Sequence, residues 1–107
     1  MLSGKQKRFL RGLGHNLKPV ITIGKGELSE ALTHETDEAL ESHELIKVKM
    51  LESCTMDRHE AAGGLAAACR AEIAQVLGRT FLLYRQAKEP KLELPKEAKP
   101  ARQPAGR

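Results

Sequence analysis

The sequence has few aromatic residues and no long apolar run. Tryptophan is absent, and the aromatic side chains are Phe9, Phe81 and Tyr84. This small supply argues against a surface on which several bases stack in succession on aromatic rings. No run of about 18 consecutive apolar residues exists, and basic residues interrupt the N-terminus where a secretory apolar region would lie. We therefore expect a cytoplasmic protein with no membrane partner.

The sequence also has few residues that could form a catalytic or metal site. Cys54 and Cys69 show neither CxxC spacing nor a disulfide-dense pattern, which is typical of buried thiols in a reducing compartment. A Cys/His nucleophile pair or a zinc site built from Cys54, His59 and Cys69 lacks a recognisable ligand spacing. Cys69 lies on the apolar side of an Ala-rich segment, which favours a core role. We predict no enzyme activity, no catalytic residue, no metal, no cofactor and no small-molecule substrate.

Charge is strongly segregated along the chain, although the formal net charge is only +4. Residues 1–25 contain six basic residues and no acidic residue. Residues 27–44 contain seven acidic residues and no Lys or Arg. Such a protein should present one face to polyanions and turn another face away from them.

Composition changes near residue 88. Four of the five prolines lie in residues 88–107, where Leu92 and Leu94 are the only sizeable apolar side chains. Such a segment cannot bury enough apolar surface to offset its chain entropy. We predict a folded domain over residues 1–87 and a disordered Pro/Lys/Glu-rich tail over residues 88–107.

The first half of the domain shows a helix, a strand and a second helix. Ser3 is a typical helix cap and Gly14 a typical helix end, and the apolar positions of this helix share one arc (Leu2, Phe9, Leu10 and Leu13). Val20 to Ile23 is a short β-rich run, and a helix from Leu28 or Ser29 to His43 follows. The positions predicted to face the core are Ala31, Leu32, Ala39 and Leu40, and those predicted to face water are Glu30, Asp37, Glu41 and Glu44.

The second half predicts a strand, a helix and a hairpin. Leu45 to Leu51 alternates apolar residues with Lys47 and Lys49, which indicates a strand with one basic face. Asp57 and Glu60 resemble a capping box for a helix that ends near Ala71. Ala74 to Leu77 and Thr80 to Tyr84 form a hairpin in which Gly78-Arg79 is typical of a type II′ turn. The order αβαβαββ predicts a compact α/β domain with three parallel strands and an antiparallel fourth.

The segment Gly24-Lys25-Gly26-Glu27, between the first strand and the second helix, is a candidate phosphate site. Glycine lets a phosphate backbone approach closely, Lys25 adds a charge, and a helix N-terminus offers backbone N–H donors. The alternative is that these glycines serve only the turn.

Basic residues from distant segments could form one patch around this loop. They are Lys5, Lys7, Arg8, Arg11, Lys18, Lys47, Lys49, Arg79 and Arg85. The alternative is a charged face that only solvates the protein. The acid-free stretch over residues 1–25 favours the patch.

Several strings resemble the YhbY-like, or CRM-domain, family of RNA-binding proteins over about residues 2–85. They are Gln6-Lys7, Leu10-Arg11, Gly14-His15-Asn16-Leu17-Lys18-Pro19-Val20, Ile23-Gly24-Lys25 and His43-Glu44-Leu45-Ile46-Lys47-Val48-Lys49. The resemblance implies a four-stranded mixed sheet with three helices, similar to the C-terminal domain of bacterial translation initiation factor three. It also implies association with precursors of the large ribosomal subunit, as in the bacterial single-domain members.

The family's RNA contact is attributed to a GxxG loop, analogous to the loop by which KH domains clamp a nucleic-acid backbone. Carried over to this chain, Gly24 is the first glycine, Lys25 and Gly26 are the intervening pair, and Glu27 occupies the second glycine position. Glu27 places an anion where a phosphate would approach.

These observations predict a monomeric RNA-binding protein that assists assembly of the large ribosomal subunit through ribosomal RNA. The predicted contacts are Gly24, Lys25, Gly26, Lys5, Lys7, Arg8, Arg11, Lys18, Lys47, Lys49 and Arg79. An alternative is a protein-interaction module that binds a ribosomal protein or assembly factor through the acidic helix. A small metal-dependent enzyme is a further alternative.

Overall fold

The helices and strands follow the predicted order. A computed structural model describes residues 2–95. Its elements are α1 (Gly4–Gly14), β1 (Pro19–Ile23), α2 (Glu30–His43), β2 (Leu45–Met50), α3 (Arg58–Cys69), β3 (Glu72–Leu77) and β4 (Thr80–Tyr84). The predicted fold, three helices with a four-stranded mixed sheet, is confirmed.

Each helix begins at a side chain that binds the first free backbone amides. Ser3 accepts a hydrogen bond from the backbone N–H of Gln6 at 3.1 Å, and the Gln6 side chain accepts one from the Ser3 backbone at 3.0 Å. The Ser29 side chain accepts the Leu32 N–H at the start of α2, and Asp57 accepts the N–H groups of His59 and Glu60 at the start of α3. Such caps contribute about 1 kcal/mol each. The predicted caps Ser3 and Asp57 are confirmed, and these local signals set where the helices begin.

The sheet has the strand order β1-β2-β4-β3. β1 and β2 are parallel, whereas β4 is antiparallel to both of its neighbours. β3 therefore runs in the same direction as β1 and β2, as predicted. Gly78 has a φ of 60° in the two-residue turn between the paired residues Leu77 and Thr80. A positive φ at the first turn position is typical of the predicted type II′ turn.

One face of the sheet packs against α2 and α3. The buried residues of this layer include Ile21, Ile23, Ile46, Val48, Met50, Phe81 and Leu83 from the strands, and Leu32, Leu40, Leu65 and Cys69 from the helices. The prediction that Ala31 faces the core is wrong, because this residue is exposed. Thr36 is buried instead, and its hydroxyl donates to the Leu32 carbonyl at 2.7 Å. The backbone thus satisfies the one hydroxyl that α2 buries.

The other face of the sheet packs against α1. Its buried cluster consists of Leu2, Leu10, Leu45, Ala74, Leu82 and Tyr84. A side chain on Gly14 would overlap Leu82, so the close approach of the helix end to the sheet requires glycine there. Phe9 and Leu13, predicted to share the apolar arc of α1, are exposed.

Glu44 is buried, which contradicts the prediction that it faces water. Its side chain is 0% exposed, and its φ is 64°. The carboxylate accepts hydrogen bonds from the backbone N–H groups of Ala87, Lys91 and Leu92 at 2.7–2.8 Å. Burial by itself raises the pKa of Glu44, but the three backbone donors and the Lys91 charge outweigh it, so the pKa lies below its ordinary value.

The same contacts contradict the prediction of disorder over residues 88–95 of the tail. Leu92 and Leu94 pack against the cluster under α1, and Gln6 Nε2 donates to the Pro95 carbonyl at 3.1 Å. Two kinds of contact hold this segment against the domain. Glu44 accepts the backbone N–H groups of Lys91 and Leu92, and the half-buried Leu92 and Leu94 pack against the cluster. Residues 96–107, the rest of the predicted tail, lie outside the described residues.

Candidate nucleic-acid interface

The two faces of the sheet separate the basic and acidic parts of the chain. Because side chains alternate along a strand, Lys47 and Lys49 point to the same face as the buried Leu45. Leu45 packs with α1, whereas α2 packs on the opposite face. The acid-free helix α1 and both strand lysines therefore share one side of the sheet, and the acidic helix α2 lies on the other side.

An open surface remains on the lysine side beyond the end of α1. The helix ends at Gly14 over Leu82, whose Cα partner on β2 is Lys47. Further along β2, Lys49 is exposed and lies between Thr22 on β1 and Thr80 on β4. We call this surface, formed by Lys47, Lys49, Val20, Thr22 and Thr80, the lysine face. Its two ammonium groups and the Thr22 hydroxyl can bind phosphate oxygens. The Thr80 hydroxyl donates instead to the Leu77 carbonyl at 2.9 Å.

The other predicted cations of the N-terminal segment lie on α1 or next to β1. Lys5, Arg8 and Arg11 are exposed on α1, and Lys7 is half-buried. Lys18 is exposed next to Pro19, whose Cα partner is Lys47. α1 and the two strand lysines therefore lie on one side of the sheet, and Lys18 lies next to the edge strand β1. Their contact with RNA stays a prediction.

The glycine loop lies at the end of β1 and forms a four-residue turn. The backbone N–H of Glu27 donates to the Gly24 carbonyl at 3.0 Å. Neither Gly24 nor Gly26 has a φ in the left-handed region, and a Cβ would meet ordinary contacts at Gly24 and open space at Gly26. Neither the turn nor the packing requires glycine at these positions. The glycines instead leave room for an outside group to approach the backbone beside the exposed Lys25.

Glu27 carries the unusual conformation of this loop. Its φ is 55°, in the left-handed region, and its Oε2 accepts a hydrogen bond from the Thr55 hydroxyl at 3.3 Å. The Ser29 side chain binds the Leu32 N–H at the start of α2, and Glu30 adds an anion in the first turn. These groups make the α2 N-terminus a poor phosphate site, so the loop's contribution rests on Lys25 and the glycine backbone.

Arg79, a predicted RNA contact, lies in the predicted turn between β3 and β4, and its guanidinium binds the protein's own backbone. Nε donates to the Met50 carbonyl at 3.2 Å, and Nη2 donates to the carbonyls of Leu51 and Cys54. Met50 is the last residue of β2, and Leu51 and Cys54 belong to the segment that follows it, next to the glycine loop.

Arg85 is not part of the patch. Its guanidinium pairs with Asp37 and Glu41 on α2 and also donates to the Cys69 carbonyl at 2.8 Å. The hydrogen bond from Arg85 lowers the pKa of Asp37, a half-exposed residue that was predicted to face water. The side chain of Arg85 is only 16% exposed, so it joins α2 to the end of β4 instead of binding RNA.

The cysteines occupy the core. Cys54 and Cys69 are both buried, and burial raises the pKa of the Cys69 thiol. The predicted core role of Cys69 is confirmed. Within residues 2–95, no group of three His, Cys, Asp or Glu side chains could hold a metal ion. Over the same residues, no helix has the length and apolar character needed to cross a membrane.

Sequence reasoning missed two parts of this surface. Thr22 and Thr80 flank Lys49 only because β1 and β4 are the neighbours of β2, and strand order is not a local property of the sequence. The segment over residues 51–55 carries hydroxyls at Ser53 and Thr55, yet it has no motif that marks it. Only contacts in the fold place it beside the glycine loop: Leu51 N–H donates to the Ile23 carbonyl, and the Thr55 hydroxyl donates to Glu27.

Comparisons with known proteins agree on one family. The CRS1 / YhbY (CRM) domain family matches residues 2–85. A Bacillus subtilis protein named "Probable RNA-binding protein YqeI" is 44% identical over 96 residues, which cover 89% of this chain and 100% of the relative. A Haemophilus influenzae protein named "RNA-binding protein" is 38% identical over 96 residues, which cover 90% of this chain and 97% of the relative.

A solved structure shares the fold. It is the solution structure of SAV1595 from Staphylococcus aureus, a hypothetical protein described as a candidate RNA-binding protein. It is 47% identical, covers 89% of this chain and 100% of its own, and superimposes with a TM-score of 0.77. The fold and these matches agree, and the chain belongs to the CRS1/YhbY (CRM) domain family.

Proposed function

We propose that this protein binds ribosomal RNA in precursors of the large ribosomal subunit and assists their assembly. The single observation that carries RNA binding is the division of charge across the sheet. The basic helix α1, Lys47 and Lys49 lie on one side, and α2 lies on the other. The relatives named as RNA-binding proteins support the same class of ligand.

The binding mechanism is electrostatic and depends on the shape of the RNA. Lysine and arginine side chains replace the counterions of the RNA backbone, so affinity falls as salt rises. The lysine face and α1 contact phosphates, while the glycine loop lets one stretch of backbone approach beside Lys25. The acidic helix α2 orients the protein because it repels RNA from the opposite side. Phosphate contacts fix position but carry little base specificity.

The ribosomal role rests on the family resemblance, because the bacterial single-domain members associate with large-subunit precursors. In this account the protein performs no chemistry, requires no metal or cofactor, and acts as a monomer in the cytoplasm.

The alternative interaction module is less favoured. This alternative requires acidic side chains of α2 that are free to bind a protein partner. Asp37 and Glu41 instead bind Arg85 within the domain.

The test is the salt dependence of RNA binding by the double variant Lys25→Ala/Lys47→Ala. If both residues contact phosphates, the slope of log K against log salt should fall by roughly 1.4 for single-stranded RNA. The control Lys88→Ala/Lys91→Ala removes the same charge near α2, where Lys91 Nζ binds the Ser42 carbonyl. It should leave the slope nearly unchanged. Equal slopes for the wild type and the Lys25/Lys47 variant would remove both residues from the interface.

The ribosomal part has a separate test. Crosslinking in cells followed by sequencing of the attached RNA should recover precursors of large-subunit ribosomal RNA. Recovery of only other RNA classes would overturn the ribosomal assignment. Partner binding that survives ribonuclease and depends on Glu30, Asp37 and Glu41 would support the interaction module instead.

A further inference from the structure

We infer that the turn over residues 51–54 forms a second wall of the RNA site, and that Arg79 is the positioning residue that holds this wall beside the glycine loop. The inference rests on the proposed RNA binding. To the proposed RNA site, the inference adds a neutral contact surface for the sugar-phosphate strand. It also changes the role of Arg79 from a phosphate contact to a positioning residue.

The two turns lie side by side at one end of the sheet. The first is closed by the hydrogen bond from Glu27 N–H to the Gly24 carbonyl, and the second by the bond from Cys54 N–H to the Leu51 carbonyl, both at 3.0 Å. The N–H of Leu51 also donates to the Ile23 carbonyl at 2.9 Å, immediately before Gly24. Backbone pairing therefore places the start of the second turn against the first.

Side chains of the second turn approach the glycine directly. A Cβ on Gly24 would lie 3.6 Å from Leu51 Cδ1 and 3.7 Å from Ser53 Oγ. Across the same gap, the Thr55 hydroxyl donates to Glu27. An RNA strand that comes close to the Gly24 backbone must therefore also contact Leu51 and Ser53.

Arg79 fixes the second turn at both of its ends. Its guanidinium donates to the Leu51 carbonyl and, at 3.1 Å, to the Cys54 carbonyl, while Nε donates to Met50. The Arg79 carbonyl accepts the Met50 N–H at 2.8 Å, so strand pairing holds the arginine itself in place. A planar fork can bind several carbonyls at once, whereas the compact ammonium of lysine cannot reproduce that geometry.

The chemistry of the wall points to neutral contacts with RNA. Ser53 offers a hydroxyl that can bind a phosphate oxygen or a ribose 2′-OH, and Leu51, which is 40% exposed, offers apolar surface to a ribose or base. Glu52 is exposed on the same turn and repels phosphate. Because Ser53 and Leu51 carry no charge, their contacts with RNA should add affinity that does not depend on salt.

Replacing Arg79 by lysine tests the inference because it keeps the charge and removes the fork. We expect Arg79→Lys to weaken RNA binding by about tenfold while the salt slope stays at the wild-type value. If Arg79 is a phosphate contact instead, Arg79→Lys should bind like the wild type, and Arg79→Gln should lower the slope by roughly 0.7. If Arg79 serves only stability, its variants lower the melting temperature without changing the dissociation constant of the folded protein. Either of these two results overturns the inference.

A second pair of variants tests the wall without touching Arg79. Ser53→Asp places an anion on the second turn, and Ser42→Asp places the same charge at the exposed end of α2. Ser53→Asp should weaken binding, and Ser42→Asp should leave it near the wild-type value. Equal affinities for the two variants would remove the turn from the site. If the wild type binds RNA and the Lys25→Ala/Lys47→Ala variant loses slope, but Arg79→Lys and Ser53→Asp bind RNA as tightly as the wild type, the proposed function stands and this inference fails. A wild type that binds no RNA overturns both.

Discussion

Replacing Glu44 by glutamine should destabilise the domain strongly, although glutamine has nearly the same shape. The carboxylate accepts three backbone N–H groups, two on Oε1 and one on Oε2. A glutamine has one acceptor oxygen, so if it serves Lys91 and Leu92, its amide nitrogen faces the N–H of Ala87. One buried donor then lacks an acceptor, and the other two hydrogen bonds lose the charge that strengthens them.

The free energy of unfolding should fall by about 3 kcal/mol. The unsatisfied N–H of Ala87 contributes most of this loss, since an unpaired buried donor costs about 1–3 kcal/mol. Unfolding in urea followed by circular dichroism measures it, and for an m value of about 1.5 kcal/mol/M the midpoint should fall by about 2 M. Glu35→Gln is the matched control because Glu35 is exposed on α2, the helix that ends directly before Glu44. Equal midpoints for Glu44→Gln, Glu35→Gln and the wild type would refute the reasoning.

The lowered pKa of Glu44 adds a pH dependence with a definite sign. Between the folded pKa and the ordinary value of 4.5, the unfolded chain binds a proton that the folded chain does not. Stability from this group is therefore complete above about pH 4.5 and is lost as the pH falls through the folded pKa. Because glutamine does not titrate, the stability difference between wild type and Glu44→Gln should shrink at acid pH. A constant difference from neutral to acid pH would contradict this.

Three further predictions concern the C-terminal segment and the glycine loop. Ending the chain after Ala87 should lower the melting temperature by several degrees, because it removes Leu92, Leu94 and two donors to Glu44; an unchanged melting curve would show that residues 88–95 do not stabilise the domain. The double variant Gly24→Ala/Gly26→Ala should keep the wild-type melting temperature and bind RNA more weakly in a filter-binding titration, since within the domain the added methyl groups meet ordinary contacts or open space, whereas they obstruct an outside ligand; a protein that melts early yet binds normally would assign the glycines to folding. Glu27→Gly should bind RNA more tightly without loss of stability, because it removes an anion from the loop and relieves a left-handed φ at a cost of one exposed hydrogen bond; weaker binding in calorimetry would show that Glu27 supports the loop that RNA needs.

Local signals in the sequence were enough for most of the fold. Ser3 and Asp57 cap their helices through contacts within three residues, and the alternation in β2 separates Lys47 and Lys49 from the core. These features depend on neighbours along the chain, so a pattern can predict them.

Several of the wrong predictions concern side chains whose partners are distant in sequence. Glu44 looked like one more acid at the end of an acidic helix, but it binds amides more than 40 residues away. Arg85 looked like a member of a cationic patch, but it binds Asp37 on another element. Arg79, a predicted RNA contact, donates to the Met50 carbonyl on β2. Charge alone cannot distinguish a cation that meets solvent from one that binds a carbonyl or carboxylate of its own fold.

The most direct test of the account is the titration of a fragment of large-subunit ribosomal RNA into isotope-labelled protein, followed by amide chemical shifts. The account predicts that the largest changes fall in α1, at Thr22 to Gly26 and at Lys47 to Cys54, with α2 unaffected. Changes concentrated in α2, with the lysine face silent, would contradict it.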